Sequence, residues 1–153
     1  VFAAALGAGD VACVEMAVPA DPAAAKAAVE RLRDIAQERS VAFLLRDDAT
    51  LAARTHCDGV VVGPGAYAAA RKTVGAQAIV GVAVGTSRHE AMEAGEAGAD
   101  FIGFDADAEI VSWWTELMEV PCVAAVPEAD FRRVAAEGWT DPQAAAAAIR
   151  GLG

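Results

Sequence analysis

The chain alternates short apolar runs with longer segments in which apolar residues recur every three to four positions. The short runs are Asp10 to Met16, Val41 to Leu45, Asp58 to Val62, Ala78 to Val84, Asp100 to Phe104 and Pro121 to Val126. Near-continuous apolar runs of that length, rich in β-branched and aromatic residues, predict strands buried on both faces. The segments between them predict helices over Ala23 to Arg39, Asp48 to His56, Ala66 to Val74, Ser87 to Ala97, Ala108 to Glu119 and Glu128 to Glu137. Another helix is expected over Val1 to Gly7, and a last, Ala-rich one from Asp141-Pro142. Several helix starts are explicit. Asp21-Pro22 and Asp141-Pro142 each place an N-cap acceptor before a proline that suits the first helical position. Ser87 and Glu90 form a capping box.

Strands that each lead into a helix imply a parallel sheet, either a (β/α)₈ barrel or an open doubly wound sheet. A G-x-G-x-x-G turn after the first strand would favour the open sheet, but Gly7-Ala8-Gly9 precedes that strand instead. The expected fold is therefore an α/β (β/α)₈ TIM barrel, with residues 1–153 forming one domain. Only six strands are legible, and such barrels usually need about 200 residues or more. The first and last strands are thus expected to be missing, which would open two hydrogen-bonding edges. Omitted segments are expected at the 104/105, 126/127 and 138/139 junctions.

Composition narrows the function classes. Twelve basic residues face 22 acidic ones, giving a net charge of −10, and the basic residues form no stripe. That argues against a nucleic-acid surface, which needs clustered cations. No apolar run approaches the ~18 residues of a membrane span. Three cysteines and two histidines include no C-x-x-C pair, so neither a zinc site nor a disulfide framework is expected. Cys13 and Cys122 sit in apolar runs and are expected to be small buried hydrophobes. The expected compartment is the reducing cytoplasm; association with further copies of the chain is left open.

A parallel barrel carries its chemistry at the C-terminal ends of its strands. There the chain offers Arg46, Asp47 and Asp48. Asp48 is expected to cap the next helix, and Arg46 to pair with Asp47. The Gly85-Thr86-Ser87 turn is expected to be a capped helix start, with phosphate binding by its N–H groups the alternative. His89 lies in the first turn of its helix. Of Trp113-Trp114, one ring is expected to pack and the other to be half exposed.

Three stretches resemble the thiamine phosphate synthase family. FLLRDDATLAARTHCDGVVVG, from Phe43 to Gly63, is similar to its strand, Asn-Asp, helix and Asp-Gly-Val-His-Leu-Gly-Gln pattern. AIVGVAVGTSRHEAMEAGEAGADFIGF, from Ala78 to Phe104, resembles its Gly-Val-Ser and Gly-Ala-Asp-Tyr-Ile-Gly strands. WWTELMEVPCVA, from Trp113 to Ala124, is similar to the segment before its phosphate-binding glycines.

The resemblance implies coupling of a pyrimidine methyl diphosphate to a thiazole phosphate with release of diphosphate, assisted by Mg²⁺. It makes phosphorylated small molecules the expected partners. Carried over by position, it implies substrate contacts at Arg46, Gly63, Thr86 and Gly103, and a metal contact at Asp47. It assigns no catalytic residue. Several family positions are replaced. The Asn of Asn-Asp is Arg46, the second metal carboxylate falls near Ala66, and the His and Gln are Val61 and Pro64. The Gln-x-Arg-x-Lys strand falls on Cys13, Glu15 and Ala17, putting an acid where a cation is expected to meet diphosphate. The Thr-and-Lys loop is absent after Phe104, and Ala125-Val126-Pro127-Glu128 stands where Ile-Gly-Gly-Ile is expected. A catalytically degenerate barrel that binds a phosphorylated ligand or a partner protein without turnover is the alternative.

Overall fold

The computed structural model describes residues 1–135 and 141–151. Seven parallel strands follow one another in both sequence and space: β1 Cys13–Met16, β2 Ala42–Arg46, β3 Gly59–Val62, β4 Ile79–Gly85, β5 Phe101–Phe104, β6 Cys122–Ala124 and β7 Phe131–Arg132. The helices are α1 Phe2–Leu6, α2 Pro22–Gln37, α3 Ala49–Arg54, α4 Tyr67–Val74, α5 Arg88–Ala97, α6 Ala108–Leu117 and α7 Pro142–Arg150. The six expected strands are all present. The expected caps form too: Asp21, Asp48, Ser87 and Asp141 each accept a backbone N–H in the first turn of their helix.

The expectation fails at the seventh strand. Residues 131–132 form β7, paired with β6 through Val123 and Ala124, where a helix from Glu128 to Glu137 was expected. The described part of that segment is not helical, and the rest of it, with the 138/139 junction, lies outside the described residues. The last strand is therefore present, and the fold is a seven-stranded curled half-barrel among the described residues rather than six strands of an eight-stranded barrel.

A repeated aspartate explains the strand. Asp58 stands before β3 and accepts the Phe43 N–H of β2 at 2.7 Å. Asp100 stands before β5 and accepts the Val80 N–H of β4 at 2.8 Å. Asp130 stands before β7 and accepts the Cys122 N–H of β6 at 2.9 Å. Asp58 and Asp100 also return their own N–H to the carbonyls of Phe43 and Val80, each at 2.9 Å. Each such carboxylate satisfies an amide within the first two residues of a strand, a donor that is costly to bury unpaired. Ala129-Asp130-Phe131 thus repeats Ala99-Asp100-Phe101.

β6 and β7 are parallel yet joined by residues 125–130 alone, with no helix between them. Parallel neighbours usually need a crossover of about a dozen residues. The link from β5 to α6 is also short, residues 105–107.

The two faces of the sheet separate the core. The outer face holds Phe43, Leu45, Val60, Val62, Val80, Val82, Ile102, Phe104, Cys122 and Ala124 against the helices. Trp114 of α6 is fully buried there, donating its indole N–H to Val120 at 2.7 Å and meeting Phe104 edge to face. Trp113 is only half buried beside it, as expected. The inner face holds a smaller cluster of Leu44, Val61, Phe101, Ile79 and Val123. Gly81 is obligatory in that plug, because a Cβ there would stand 2.2 Å from the Phe101 ring. α1 and α7 pack on each other.

Cys122 is buried as expected, but Cys13 is exposed. Its strand, β1, is an edge of the sheet, with a partner on one side only. All three cysteines are free. No helix among the described residues is long and apolar enough to cross a membrane.

Candidate functional site

The inner face changes character towards the C-terminal ends of the strands. The apolar plug gives way to Glu15 on β1, Arg46 at the end of β2 and Arg133 just beyond β7. Arg46 Nε donates to Glu15 Oε1 at 2.6 Å. Arg133 Nη2 lies 3.5 Å from Glu15 Oε2. Each carboxylate oxygen therefore faces one guanidinium. The arrangement also measures the curl, because Glu15 is on the first strand of a sequentially ordered sheet and Arg133 directly follows the last.

Exposure grades outward through the cluster. The Glu15 side chain is 15% exposed, Arg133 33% and Arg46 51%. Gly103 lies beneath: a Cβ there would stand 3.2 Å from Arg133 Nη2. Ala83, next to Gly103 in register, is exposed although Val82 and Val84 on either side are buried. The mouth above the plug is open. Although Cys13 is exposed, partial desolvation pushes its thiol up, with the Glu15 charge adding to the effect and Arg133 opposing it.

The expected Arg46–Asp47 pair does not form. Arg46 turns to Glu15, which offers a less exposed carboxylate on the neighbouring strand. Glu15 is thereby shared between two guanidiniums, while Asp47 and Asp48 add two further carboxylates to the cleft that Arg46 lines. Asp47 has φ +59, and its N–H bonds the Val61 carbonyl at 2.8 Å. Aspartate tolerates the left-handed region better than most residues, but the conformation still costs of the order of 1 kcal/mol. Its carboxylate has no hydrogen-bond or ion-pair partner among the described residues. Arg46, Asp47 and Asp48 line an open cleft of about 340 Å³ with Ala17 and Val18.

The other expected positions lie at the same end of the sheet. Gly63 follows β3, with nothing within 4 Å of where its Cβ would be. Thr86 is exposed after β4, while Ser87 accepts the Glu90 N–H as the capping box requires. His89 is on the surface, paired with Glu93 at 3.3 Å. Among the described residues no group of three His, Cys, Asp or Glu side chains could hold a metal.

Sequence reasoning missed Arg133, which falls in a segment expected to be helical. The signal was available: with Asp130 read as the repeat of Asp100, Phe131 matches Phe101 and Arg133 matches Gly103, an inward position near the strand end.

A family model described as thiamine monophosphate synthase matches residues 1–126. A thiamine-phosphate synthase of Rhodospirillum centenum is 46% identical over 97% of this chain and 85% of its own length. The chain belongs to the thiamine monophosphate synthase family. A thiamine-phosphate synthase of Erythrobacter litoralis is 37% identical, over 76% of this chain and 68% of its own. Thiamine phosphate pyrophosphorylase of Pyrococcus furiosus shares the fold, with a TM-score of 0.84, 24% identity and coverage of 99% of this chain and 86% of that one.

The Rhodospirillum alignment runs over 176 positions, whereas 97% of this chain is about 148 residues, so roughly 28 positions have no counterpart here. The links over 105–107 and 125–130 are short, at the two places where the resemblance implied a phosphate loop and phosphate-binding glycines.

Proposed function

We propose that this chain joins a pyrimidine methyl diphosphate to a thiazole phosphate and releases diphosphate, the reaction implied by its family. The observation that carries the reading is the open mouth of the half-barrel, where Arg46 and Asp47 stand side by side above an apolar plug. Departure of a diphosphate builds charge on its oxygens, and donors already fixed in place stabilise that charge without reorganising. Arg46 supplies such a donor, and Gly63, Thr86 and Gly103 border the space that substrate would fill. Asp47 would hold Mg²⁺ together with substrate phosphate oxygens, since Mg²⁺ commonly takes only one or two carboxylates beside phosphates. Bound there, the ion would neutralise charge on the leaving group. The three free cysteines suit a reducing cytoplasm.

A second reading, binding without turnover, is favoured by the lone Asp47 carboxylate and the two short links. Release of diphosphate, measured by a coupled assay with both substrates and Mg²⁺, tests the pair. Sustained turnover supports the synthase reading. Binding of either substrate with no diphosphate released supports the second.

A further inference from the structure

We infer that the crevice between α2 and α3 is a second small-molecule site, which takes an amphipathic monocarboxylate with its carboxylate on Arg54. The inference goes beyond the synthase reading and uses no step of that reaction.

The crevice is a cavity of about 280 Å³. One wall is the segment that leads from β1 into α2, with Val18, Pro19, Pro22 and Ala25. The other wall is one side of α3. Thr50, Leu51 and Arg54 lie three or four positions apart there and so share a face. The lining is apolar except for Asp48, Thr50 and Arg54. Asp48 caps the start of α3 and Arg54 ends it. At about 1.5 Å of rise per residue, roughly 9 Å of helix separates the two charges.

The polar groups are not equivalent. Asp21 accepts the Ala24 N–H at the start of α2, and Asp48 accepts the Leu51 N–H at the start of α3. Pro19 and Pro22 carry no N–H at all. The Asp48 carboxylate is thus committed to its cap. Arg54 makes no hydrogen bond or ion pair among the described residues. Arg33, by contrast, is tied to Asp34 and to the Thr55 carbonyl.

A guanidinium with no partner beside an apolar hollow complements a ligand with an anionic head and an apolar body. Its planar fork suits the two oxygens of a carboxylate. The acidic end at Asp48 repels a second negative charge, so the ligand carries one carboxylate and lies with its body pointing away from Arg54. The cavity falls just below the range of about 300–1,000 Å³ that holds drug-sized molecules, which limits the body to a chain or ring of about six carbons.

The test uses the full chain with hexanoate, butanoate and hexylamine as separate probes at fixed ionic strength. Amide NMR spectra of isotopically labelled protein give both affinity and location. Hexanoate is expected to bind, with shifts concentrated over residues 18–25 and 48–54. Butanoate is expected to bind about tenfold more weakly, since each buried methylene is worth roughly fourfold. Hexylamine, with the opposite charge, is expected to bind more weakly than hexanoate. Arg54→Gln is expected to weaken hexanoate binding about tenfold, the scale of one charged hydrogen bond. Arg54→Lys keeps the charge but loses the fork and is expected to fall between the two. Arg46→Gln, which removes the guanidinium at the mouth, is expected to bind hexanoate within twofold of wild type.

No hexanoate binding, or hexylamine binding as tightly as hexanoate, would overturn the site. So would an Arg54→Gln protein that binds hexanoate within twofold of wild type. Binding that depends on Arg46 and not on Arg54 would place the carboxylate in the mouth and overturn it equally. Circular dichroism melts show that each variant is folded, and Arg54→Lys carries the test if Arg54→Gln is not.

Discussion

The two ends of the half-barrel solve opposite problems with the same kinds of residue. At the N-terminal ends of the strands, Asp58, Asp100 and Asp130 each spend a carboxylate on a buried backbone amide of the neighbouring strand. At the C-terminal ends, Glu15 is shared between two arginines and Asp47 has no partner among the described residues. The first arrangement fixes backbone. The second leaves charge and donors facing an open cleft. A barrel needs both, because a mouth that binds ligand is built from groups that could have stabilised the fold and do not.

The sharpest way to break this contrast is at the N-terminal end. Asp58→Ala leaves the Phe43 N–H buried without an acceptor and is expected to cost about 2–3 kcal/mol. A fall in the urea midpoint with an unchanged slope would report it. Asp58→Asn keeps an acceptor oxygen and is expected to recover most of the loss. If Asp58→Ala unfolds no more easily than wild type, the aspartates are incidental and the N-terminal end is not the stabilising one.

Asp100→Ala is the weaker version of the same test. Asp100 also pairs with Arg71 at 2.7 Å, but that pair is partly exposed, and such pairs contribute little. The expected loss is about 1–2 kcal/mol, mostly from the Val80 amide.

At the mouth the expectation inverts. Asp47→Gly relieves a left-handed φ and loses only an unpaired carboxylate, so the fold is expected to gain up to about 1 kcal/mol. The same change is expected to lower Mg²⁺-dependent diphosphate release. Gain of stability with loss of activity is the signature of a residue kept for function. A stability loss instead would place Asp47 with the structural aspartates.

Much of this was legible in the pattern of the chain. Six strands and most helix starts follow from apolar runs and from caps such as Asp21-Pro22 and Ser87–Glu90, all of them local signals. β7 was not legible by periodicity, because two residues cannot display a period and their pairing with β6 is a tertiary matter. The spacing of Ala-Asp-Phe before β5 and β7 held the information in another form. Arg46 was legible as a mouth residue, but its partner was not. Glu15 lies 31 positions earlier, and only the parallel register of β1 with β2 brings the two together. Arg133 depended on both failures at once.

The smallest effect concerns the cysteines, each of which lies at or just before the start of a strand. Burial raises the thiols of Cys13, Cys57 and Cys122 above the ordinary value near 9.0. A raised thiol stays protonated in the folded chain where the unfolded chain has already released its proton. Stability is therefore expected to be unaffected at neutral pH and to decline as pH rises through about 9. Alkylation reads the same groups one at a time. Cys13, exposed on the edge strand, is expected to react first, more slowly than a small free thiol at the same pH because its thiolate is suppressed. Cys122, buried under the outer helices, is expected to react only on unfolding. Filling the mouth should change this order in one place. A diphosphate held beside Arg46 adds negative charge on the face that Cys13 shares with Glu15, and is expected to slow Cys13 alkylation while leaving Cys122 as it was. Equal protection of all three thiols by diphosphate would point to a general tightening of the fold. Protection of Cys13 alone would place the bound anion at the mouth, among the groups that the fold leaves unspent.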